Sequence, residues 1–313
     1  MKQTKFEKII VDADKYLLTA AQSVEERYIE VTCNATGEVR EFSGVQKFWG
    51  RTKALTRDSG ELGSWMSFIG FDASKEDFTV TECVRLRDDI TNPLQEAEKK
   101  FGSYMSAFKH MEYVDDYVLC LHGEGNFRYE VGKIQPYKGK RVEKPIIFQD
   151  LKDSVFNQYK NKVGISNGFE SDDKLGIYAA ENQAHYRKTG EYKYLLGFVD
   201  KDLKQLWGPW INIDKLGEGV HEITPVEACR HFCVQMLMGD GVDSIPGLPD
   251  IPDEVKADHN VRKGKGCGST IANALVADCK TQKGMFQVVV DMYKTVYPED
   301  VVFTSESDGK EYV

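Results

Sequence analysis

In Leu195-Leu196-Gly197-Phe198-Val199-Asp200-Lys201-Asp202, five uncharged residues are followed at once by a pair of carboxylates. An apolar run that stops so abruptly reads as a short buried strand whose carboxyl end emits acids. Near the amino terminus, Lys8-Ile9-Ile10-Val11-Asp12 repeats the arrangement, and Asp14 follows. In an open α/β sheet that edge is where ligands bind. Two more acidic groups, Glu170/Asp172/Asp173 and Asp240/Asp243, lie far away in sequence. If these charges gather in one partly desolvated place, their repulsion is costly unless cations neutralise it. Hard divalent ions held through oxygen and water meet that need, Mg²⁺ first among them.

Working outward, the segment 1–30 reads as a strand and then a helix, with Tyr16, Leu17, Ala20 and Ala21 at helical spacing. Further helices are expected over 93–111, 145–159, 172–187 and 225–238, and a strand over Tyr117–Leu121. Strands alternating with helices predict an α/β fold, a mainly parallel sheet with helices on both faces. The segment 31–105 is different. It is rich in turns (Asn34–Gly37, Arg57–Gly60) and in aromatics (Phe42, Phe48, Trp49, Trp65, Phe68, Phe71), and reads as an inserted, β-containing subregion. Those aromatics, with Lys47, Arg51 and Lys53 among them, suit a private hydrophobic core better than a surface for stacking bases.

At 313 residues, 41% hydrophobic and 29% charged, the chain can bury a sizeable core. No apolar run approaches a membrane span, and Met1-Lys-Gln-Thr-Lys lacks a secretory apolar region, so the expected location is the cytoplasm, the host's if the protein is viral. The seven cysteines, Cys33, Cys83, Cys120, Cys229, Cys233, Cys267 and Cys279, form no paired framework and are expected as reduced thiols. Cys229 and Cys233, four apart on one helix face, read as core residues rather than zinc ligands with His221 and His231. Cys120 beside His122 is likewise not expected to be a nucleophile.

The net charge of −9 argues at first against a polyanionic partner. Distribution matters more. Lys133, Lys138, Lys140, Arg141 and Lys144 cluster around the single acid Glu143, and Arg262, Lys263 and Lys265 form a second basic knot. Basic patches beside an acidic site point to phosphate contact. The segments Gly239-Asp-Gly-Val-Asp243-Ser-Ile-Pro-Gly247 and Gly264-Lys-Gly-Cys-Gly268-Ser-Thr-Ile-Ala are glycine-bearing turns next to helices. They could offer backbone N–H groups to a phosphate or carbonyls to a cation.

The ordered set Val11-Asp12, Phe127-Arg128, Tyr137-Lys138-x-x-Arg141, Glu170-x-Asp172-Asp173, Asp200-x-Asp202, Gly239-Asp240-x-x-Asp243-x-Ile-Pro-Gly247 and Gly266-x-Gly268-x-Thr270-x-Ala resembles the 5′-nuclease superfamily. That group includes flap endonucleases, the 5′-exonuclease domain of bacterial DNA polymerases and bacteriophage 5′-exonucleases, and the stand-alone phage type is the nearest likeness. The resemblance covers about 112–276 and 8–20 and is poor over 31–105. It implies a PIN-like α/β core over 1–30 and 106–238, with 31–105 inserted. A helical arch is implied too, as is a helix-three-turn-helix element within 239–313.

Carried over by position, Asp12, Glu170, Asp172 and Asp173 would serve one metal position, and Asp200, Asp202, Asp240 and Asp243 the other. Arg128, Tyr137, Lys138 and Arg141 would meet the scissile phosphate. Lys140, Lys144, Lys263, Lys265, Gly266, Gly268 and Thr270 would contact DNA, with K⁺ held at the glycine turn. Where the family has an aspartate after the strand ending at Leu121, this chain has His122, with Glu124 two residues on. Three readings are open: Glu124 takes the role through a shifted loop, His122 coordinates, or the position is lost. Glu124 is favoured because a carboxylate suits Mg²⁺ better than imidazole does.

The implied activity is a monomeric, two-metal 5′ to 3′ exonuclease and flap endonuclease, using Mg²⁺ with Mn²⁺ able to substitute, in phage replication or recombination. Its partner would be duplex DNA with a 5′ end or flap. Two alternatives remain: a catalytically reduced protein that binds flap or branched DNA, and an RNase H-type nuclease that removes RNA primers from RNA/DNA hybrids.

Overall fold

The computed structural model describes residues 5–50, 61, 65, 75–139, 143–259, 266–306 and 308–313. Lys140, Arg141, Lys263 and Lys265 lie outside the described residues, as do Arg51, Lys53, Phe68 and Phe71. The chain divides into two units. One comprises Met1–Lys15, Met105–Glu143 and Tyr159–Val313, the other Tyr16–Tyr104 and Lys144–Gln158. Among the described residues no helix is long and apolar enough to cross a membrane.

The second unit contains the strands β2 (Glu25–Cys33), β3 (Val39–Phe42) and β4 (Phe78–Leu86), which form an antiparallel sheet in the order β3-β2-β4. Ile29, Val31 and Cys33 alternate along β2 and bury the same face, as a period of two requires. Phe42, Phe48, Trp65 and Phe78 close over them, with Phe48 and Phe78 edge-on at 5.4 Å. These aromatics are a private core. Buried Glu25 in the same unit is satisfied by Arg27 Nε at 2.9 Å and by the Ile146 N–H at 3.1 Å.

The first unit is built on a six-stranded sheet. In chain order its strands are β1 (Phe6–Asp12), β5 (Val114–His122), β6 (Val163–Ser166), β7 (Tyr194–Phe198), β8 (Gly208–Asn212) and β9 (His221–Ile223). The spatial order is β6-β5-β1-β7-β8-β9, all parallel except β9. Central β1 carries Ile9, Ile10 and Val11, all fully buried, and so reads as an uninterrupted apolar run rather than an alternating one.

The order of strands reverses at β1. After β1 the chain builds outward through β5 and β6, then returns to the other side of β1 for β7. This is the topological switch point, where the carboxyl ends of β1 and β7 open a crevice. Asp12 ends β1, and Asp200 follows β7 by two residues.

The helix Ser171–Thr189 contributes Leu175 and Ala179 to the core against Ile10, Cys120, Leu196 and Phe198. Its buried Asn182 fixes the entry to β7: Oδ1 accepts the N–H groups of Lys193 and Tyr194, and Nδ2 donates to the Tyr194 carbonyl. The helix Pro225–Met238 starts with the Thr224 hydroxyl accepting the Glu227 N–H, while the Glu227 carboxylate accepts the Thr224 N–H. This capping box, with proline in the first turn, explains why its boundaries were readable. The same helix packs with Ser269–Val276 and Gln282–Val296 around Cys233, Leu237, Ala272, Val276 and Met285. All seven cysteines are free thiols, and Cys229 and Cys233 sit within this cluster.

Between those helices lies a tight antiparallel pair, β10 (Gly239–Asp240) and β11 (Ile245–Pro246). A Cβ at Gly239 would lie 2.2 Å from the Gly247 nitrogen, and one at Gly247 would lie 2.2 Å from the Met238 carbonyl carbon. Only glycine lets the two backbones approach so closely. A small further pair, β12 (Phe303–Thr304) and β13 (Glu311–Tyr312), ends the chain.

Gly247→Ala is expected to destabilise the fold by about 2 kcal/mol or more, because the obstacle is backbone and cannot rotate away. Gly241→Ala, with nothing within 4 Å of its added Cβ, is expected to stay within about 0.5 kcal/mol of the parent. Urea unfolding of both variants checks the pair.

Candidate active site

The edge formed by the carboxyl ends of β5, β1 and β7 collects acids from every expected group. Asp12 is only 8% exposed and accepts a long 3.4 Å hydrogen bond from the Ser171 hydroxyl. Asp14, in the first turn of the helix Asp14–Gln22, accepts the His122 backbone N–H on both carboxylate oxygens, at 3.1 and 3.0 Å. Asp200 precedes the short 3-10 helix Lys201–Gln205 and accepts the Asp202 N–H at 2.9 Å. Such a cap holds both carboxylates at the end of β7.

Burial and like charge act together here. Asp12 is pushed well above the usual aspartate range by desolvation, then by the charges of Asp172, Asp14 and Asp200. Asp172 is pushed up to about 7 by desolvation, then by Asp200 and Glu170, with Lys138 opposing. Asp202 is raised as well, by burial and then by Asp200. Removing carboxylates from water disfavours their charged form, and neighbouring carboxylates add to the penalty.

A second set of acids is neutralised by cations. The Arg128 fork donates to both oxygens of Asp173, at 2.6 and 2.7 Å, and Asp173 also accepts the Glu170 N–H at 2.9 Å. Desolvation pushes Asp173 up, but the Arg128 hydrogen bond and charge outweigh it and the net shift is downward. Glu170 accepts from Lys138 Nζ and from Asn126 Nδ2, the latter at 2.8 Å. Its net shift is also downward: burial raises it, and Lys138 and Arg128 outweigh burial.

The Tyr137 hydroxyl lies 3.1 Å from Glu170 and 3.0 Å from Asp243, and donates its one proton to either. Burial, then the two carboxylates, raise Tyr137 and keep it protonated. Asp240, 7% exposed, accepts the Val242 N–H at 2.9 Å and stands 3.4 Å from Lys201 Nζ. Desolvation raises Asp240, and the Val242 N–H and Lys201 more than compensate, for a net lowering.

The structure therefore brings Asp12, Asp172 and Asp200 into mutual electrostatic range, with Asp202 acted on by Asp200, and gathers Arg128, Tyr137 and Lys138 around Glu170, Asp173 and Asp243. Raised and neutralised acids are mixed within each of the two groups expected from the sequence. Glu124 is exposed. Its backbone is tied to the segment after β6, the N–H donating to Asn167 Oδ1 at 3.1 Å and the carbonyl accepting the Gly168 N–H at 2.7 Å. Lys144 lies in the other unit, its amine 4.7 Å from the Phe148 ring. Gly266 has a left-handed φ of 76°, Gly268 caps the helix Ser269–Val276, and Thr270 lies in that helix's first turn. Asp14, Ser171, Asn126 and Lys201 were not assigned roles from the sequence. Asp14 carried a legible signal in its place after the first strand. The other three depend on partners distant in the chain.

Among the described residues, no three His, Cys, Asp or Glu side chains stand close enough together to hold a metal ion as placed. The donor set still suits a hard divalent cation, since all the raised groups are carboxylates and a positive charge would relieve both burial and repulsion. Mg²⁺ commonly takes one or two carboxylates and keeps several waters, which matches acids spread around a crevice. Cys120 is no nucleophile. It is fully buried, and desolvation, then Asp12, push its thiol far up.

No family model matches the chain. Over 146 residues it is 30% identical to DNA polymerase I of Bacillus caldotenax, a match that takes in 42% of this chain and 16% of that protein. The resemblance to the 5′-nucleases holds. Among solved structures, a bacteriophage T5 flap endonuclease pseudo-enzyme–product complex with DNA and metal ions is similar over 65% of this chain and 90% of its own, at 14% identity and a TM-score of 0.35. A second bacteriophage T5 structure, co-crystallised with metal ions, is similar over 64% and 92%, at 14% identity and a TM-score of 0.32.

The raised acids set a pH dependence. A carboxyl whose folded value lies above its unfolded one binds more protons when folded, so the stability it contributes is complete below about pH 4 and is lost as pH rises towards 7. With chelator present, unfolding free energy is expected to fall between these limits, with Asp172, at about 7, contributing to the slope. Asp172→Asn is expected to flatten the slope and to be more stable than the parent at pH 7.5 by roughly 1 to 3 kcal/mol. Urea unfolding across this pH range is the measurement.

Proposed function

We propose that the chain is a divalent-metal-dependent 5′ to 3′ nuclease acting on duplex or flap DNA. The observation that carries the reading is the pairing of Asp12 and Asp172, both strongly raised by burial and like charge, with fixed cations at the same strand ends. A purely binding surface gains nothing from an acidic crevice facing phosphate. A hydrolytic one does, because two bound ions would activate water, offset the phosphate charge and stabilise the leaving oxygen.

The remaining work falls to the chain. Lys138 and Arg128 add fixed positive charge beside the crevice, ready for the charge that develops on the phosphate. Tyr137, kept protonated between two carboxylates, is a hydrogen-bond donor for a phosphate oxygen once one carboxylate moves. Asp172 holds a proton for part of the time near neutral pH, and cation binding would release that proton to solvent. The turn around Gly266 and Gly268 is read as a duplex contact with K⁺ on its carbonyls, and the basic residues Lys140, Arg141, Lys263 and Lys265 as phosphate contacts. Phage replication or recombination is the proposed setting, and a monomer the proposed state.

The test is digestion of 5′-labelled and 3′-labelled duplex and flap substrates, DNA and RNA/DNA hybrid, with Mg²⁺ and with chelator. Metal-dependent release from the 5′ end, absent in Asp172→Asn and Asp202→Asn, is expected; wild-type rates in both variants would overturn the site assignment. Substrate that stays bound and uncut would favour a catalytically reduced flap-binding protein, and preference for the hybrid would favour primer removal. Lys138→Ala is expected to lower turnover by roughly a hundredfold with a smaller effect on affinity, read from single-turnover rates against substrate concentration.

A further inference from the structure

Lys256 has no part in the reaction proposed above, yet its side chain, in the helix Asp253–Asp258, is only 2% exposed. A lysine normally lays its carbon stem on apolar surface and keeps the amine in water. Here the amine is enclosed and carboxylates come to it from outside. Its Nζ donates to Asp250 Oδ1 at 2.7 Å and stands 3.7 Å from Asp253, two side chains that are 60% and 50% exposed. Enclosing an ammonium to meet acids already in water costs free energy that a well-packed apolar residue of similar volume would not. Stability therefore does not account for the arrangement.

Position does. Asp250 also accepts the Ile251 N–H at 2.8 Å and the Gly266 N–H, and Lys256 first, then these groups, hold its carboxyl below the usual range. The Cys267 N–H donates to the Leu248 carbonyl at 3.2 Å, and the Pro249 carbonyl oxygen lies 3.5 Å from where a Cβ on Gly266 would stand. Leu248, Ile251 and Cys267 are buried in one cluster. Burial pushes the Cys267 thiol up to about 11, with the Lys256 charge opposing, so the amine acts on that residue too. The segment 248–251 thus backs Gly266 and Cys267, and Lys256 fixes the aspartate that joins them. We infer that Lys256 is a positioning residue for duplex DNA: through Asp250 it sets the Gly266–Gly268 backbone where a phosphate meets it, without touching the phosphate itself. This rests on the reading of that turn as a duplex contact.

The test uses the full chain. Duplex affinity is read by fluorescence anisotropy over a range of KCl concentrations, with Ca²⁺ in place of Mg²⁺ to hold back cleavage, beside single-turnover rates with Mg²⁺. Lys256→Met is expected to unfold in urea close to the parent, because it leaves both acids in water, yet to bind duplex about tenfold more weakly at an unchanged salt slope. The loss is expected in KM rather than kcat, and Lys256→Arg is expected to recover part of it. Asp250→Asn is expected to weaken binding in the same direction, and carries the test if Lys256→Met does not fold. Parent-like affinity and KM in these variants overturn the inference. So does a salt slope that falls by about one in Lys256→Met, which would make the amine itself a phosphate contact. The underlying reading is checked separately by Gly268→Glu, whose added Cβ meets nothing within 4 Å. If that acid leaves duplex affinity unchanged, the turn is no duplex contact; if it weakens binding and Lys256→Met does not, the inference alone fails.

Discussion

Asp12 cannot be moved into water, and much of the first unit is arranged around that constraint. It is the last residue of the central strand, follows three fully buried residues and pairs in register with Cys120. Its carboxyl therefore faces the crevice with little solvent, and Asp172, Asp14 and Asp200 all act on it. Like charges held in so dry a place repel far more than they would in water. Arg128, Lys138 and Lys201 do not remove this repulsion. They satisfy the outer acids, Asp173, Glu170 and Asp240, and leave Asp12 and Asp172 raised. The fold thus holds an inner acid pair short of positive charge inside an outer ring already matched with it. That difference, rather than the number of acids, marks where a cation would be stabilised most.

Much of this was legible because the signals are local. The apolar runs before Asp12 and Asp200 specified two neighbouring parallel strands, and Thr224, Pro225 and Glu227 marked a helix start. Four other features were not legible. The strand Gly208–Asn212 contains Pro209, which argues against a strand in any local reading, and its place beside β7 is set by the sheet. The strand Val163–Ser166 is too short to announce itself. That Arg128 would select Asp173, and Lys138 select Glu170, depends on which loops meet across the sheet edge. The double contact of Asp14 with the His122 N–H likewise exists only once β5 lies next to β1. Residue types foretold a charged site, but tertiary pairing decided which charges stay uncompensated.

The aromatic subregion shows the same limit from the other side. Phe42, Phe48, Trp65 and Phe78 bury one another, as their density suggested, yet the register of β2 with β4 over nine residue pairs could not be read from either strand alone. Register follows from the buried face, and here that face is defined by residues on three strands and a helix.

Backbone strain adds an independent argument about the outer ring. Lys138 and Ser244 are the non-glycine residues with left-handed φ among those described, at 57° and 60°, and they flank one contact. The Lys138 N–H donates to the Asp243 carbonyl at 3.2 Å, and the Lys138 amine bonds to Glu170 and stands 3.9 Å from the Asp243 carboxylate. Each such conformation costs on the order of 1 kcal/mol for a residue with a Cβ, and persists where surrounding contacts over-determine it. The glycine-locked pair β10–β11 fixes one side of the contact and the helix starting at Ser171 fixes the other. A surface lysine in an ordinary turn would relax into a right-handed conformation at no loss. Lys138 does not, because relaxing would withdraw its amine from between two carboxylates that have been placed first. The strain and the charge arrangement therefore have one cause: a lysine amine held at the rim of a crevice whose interior acids remain short of positive charge.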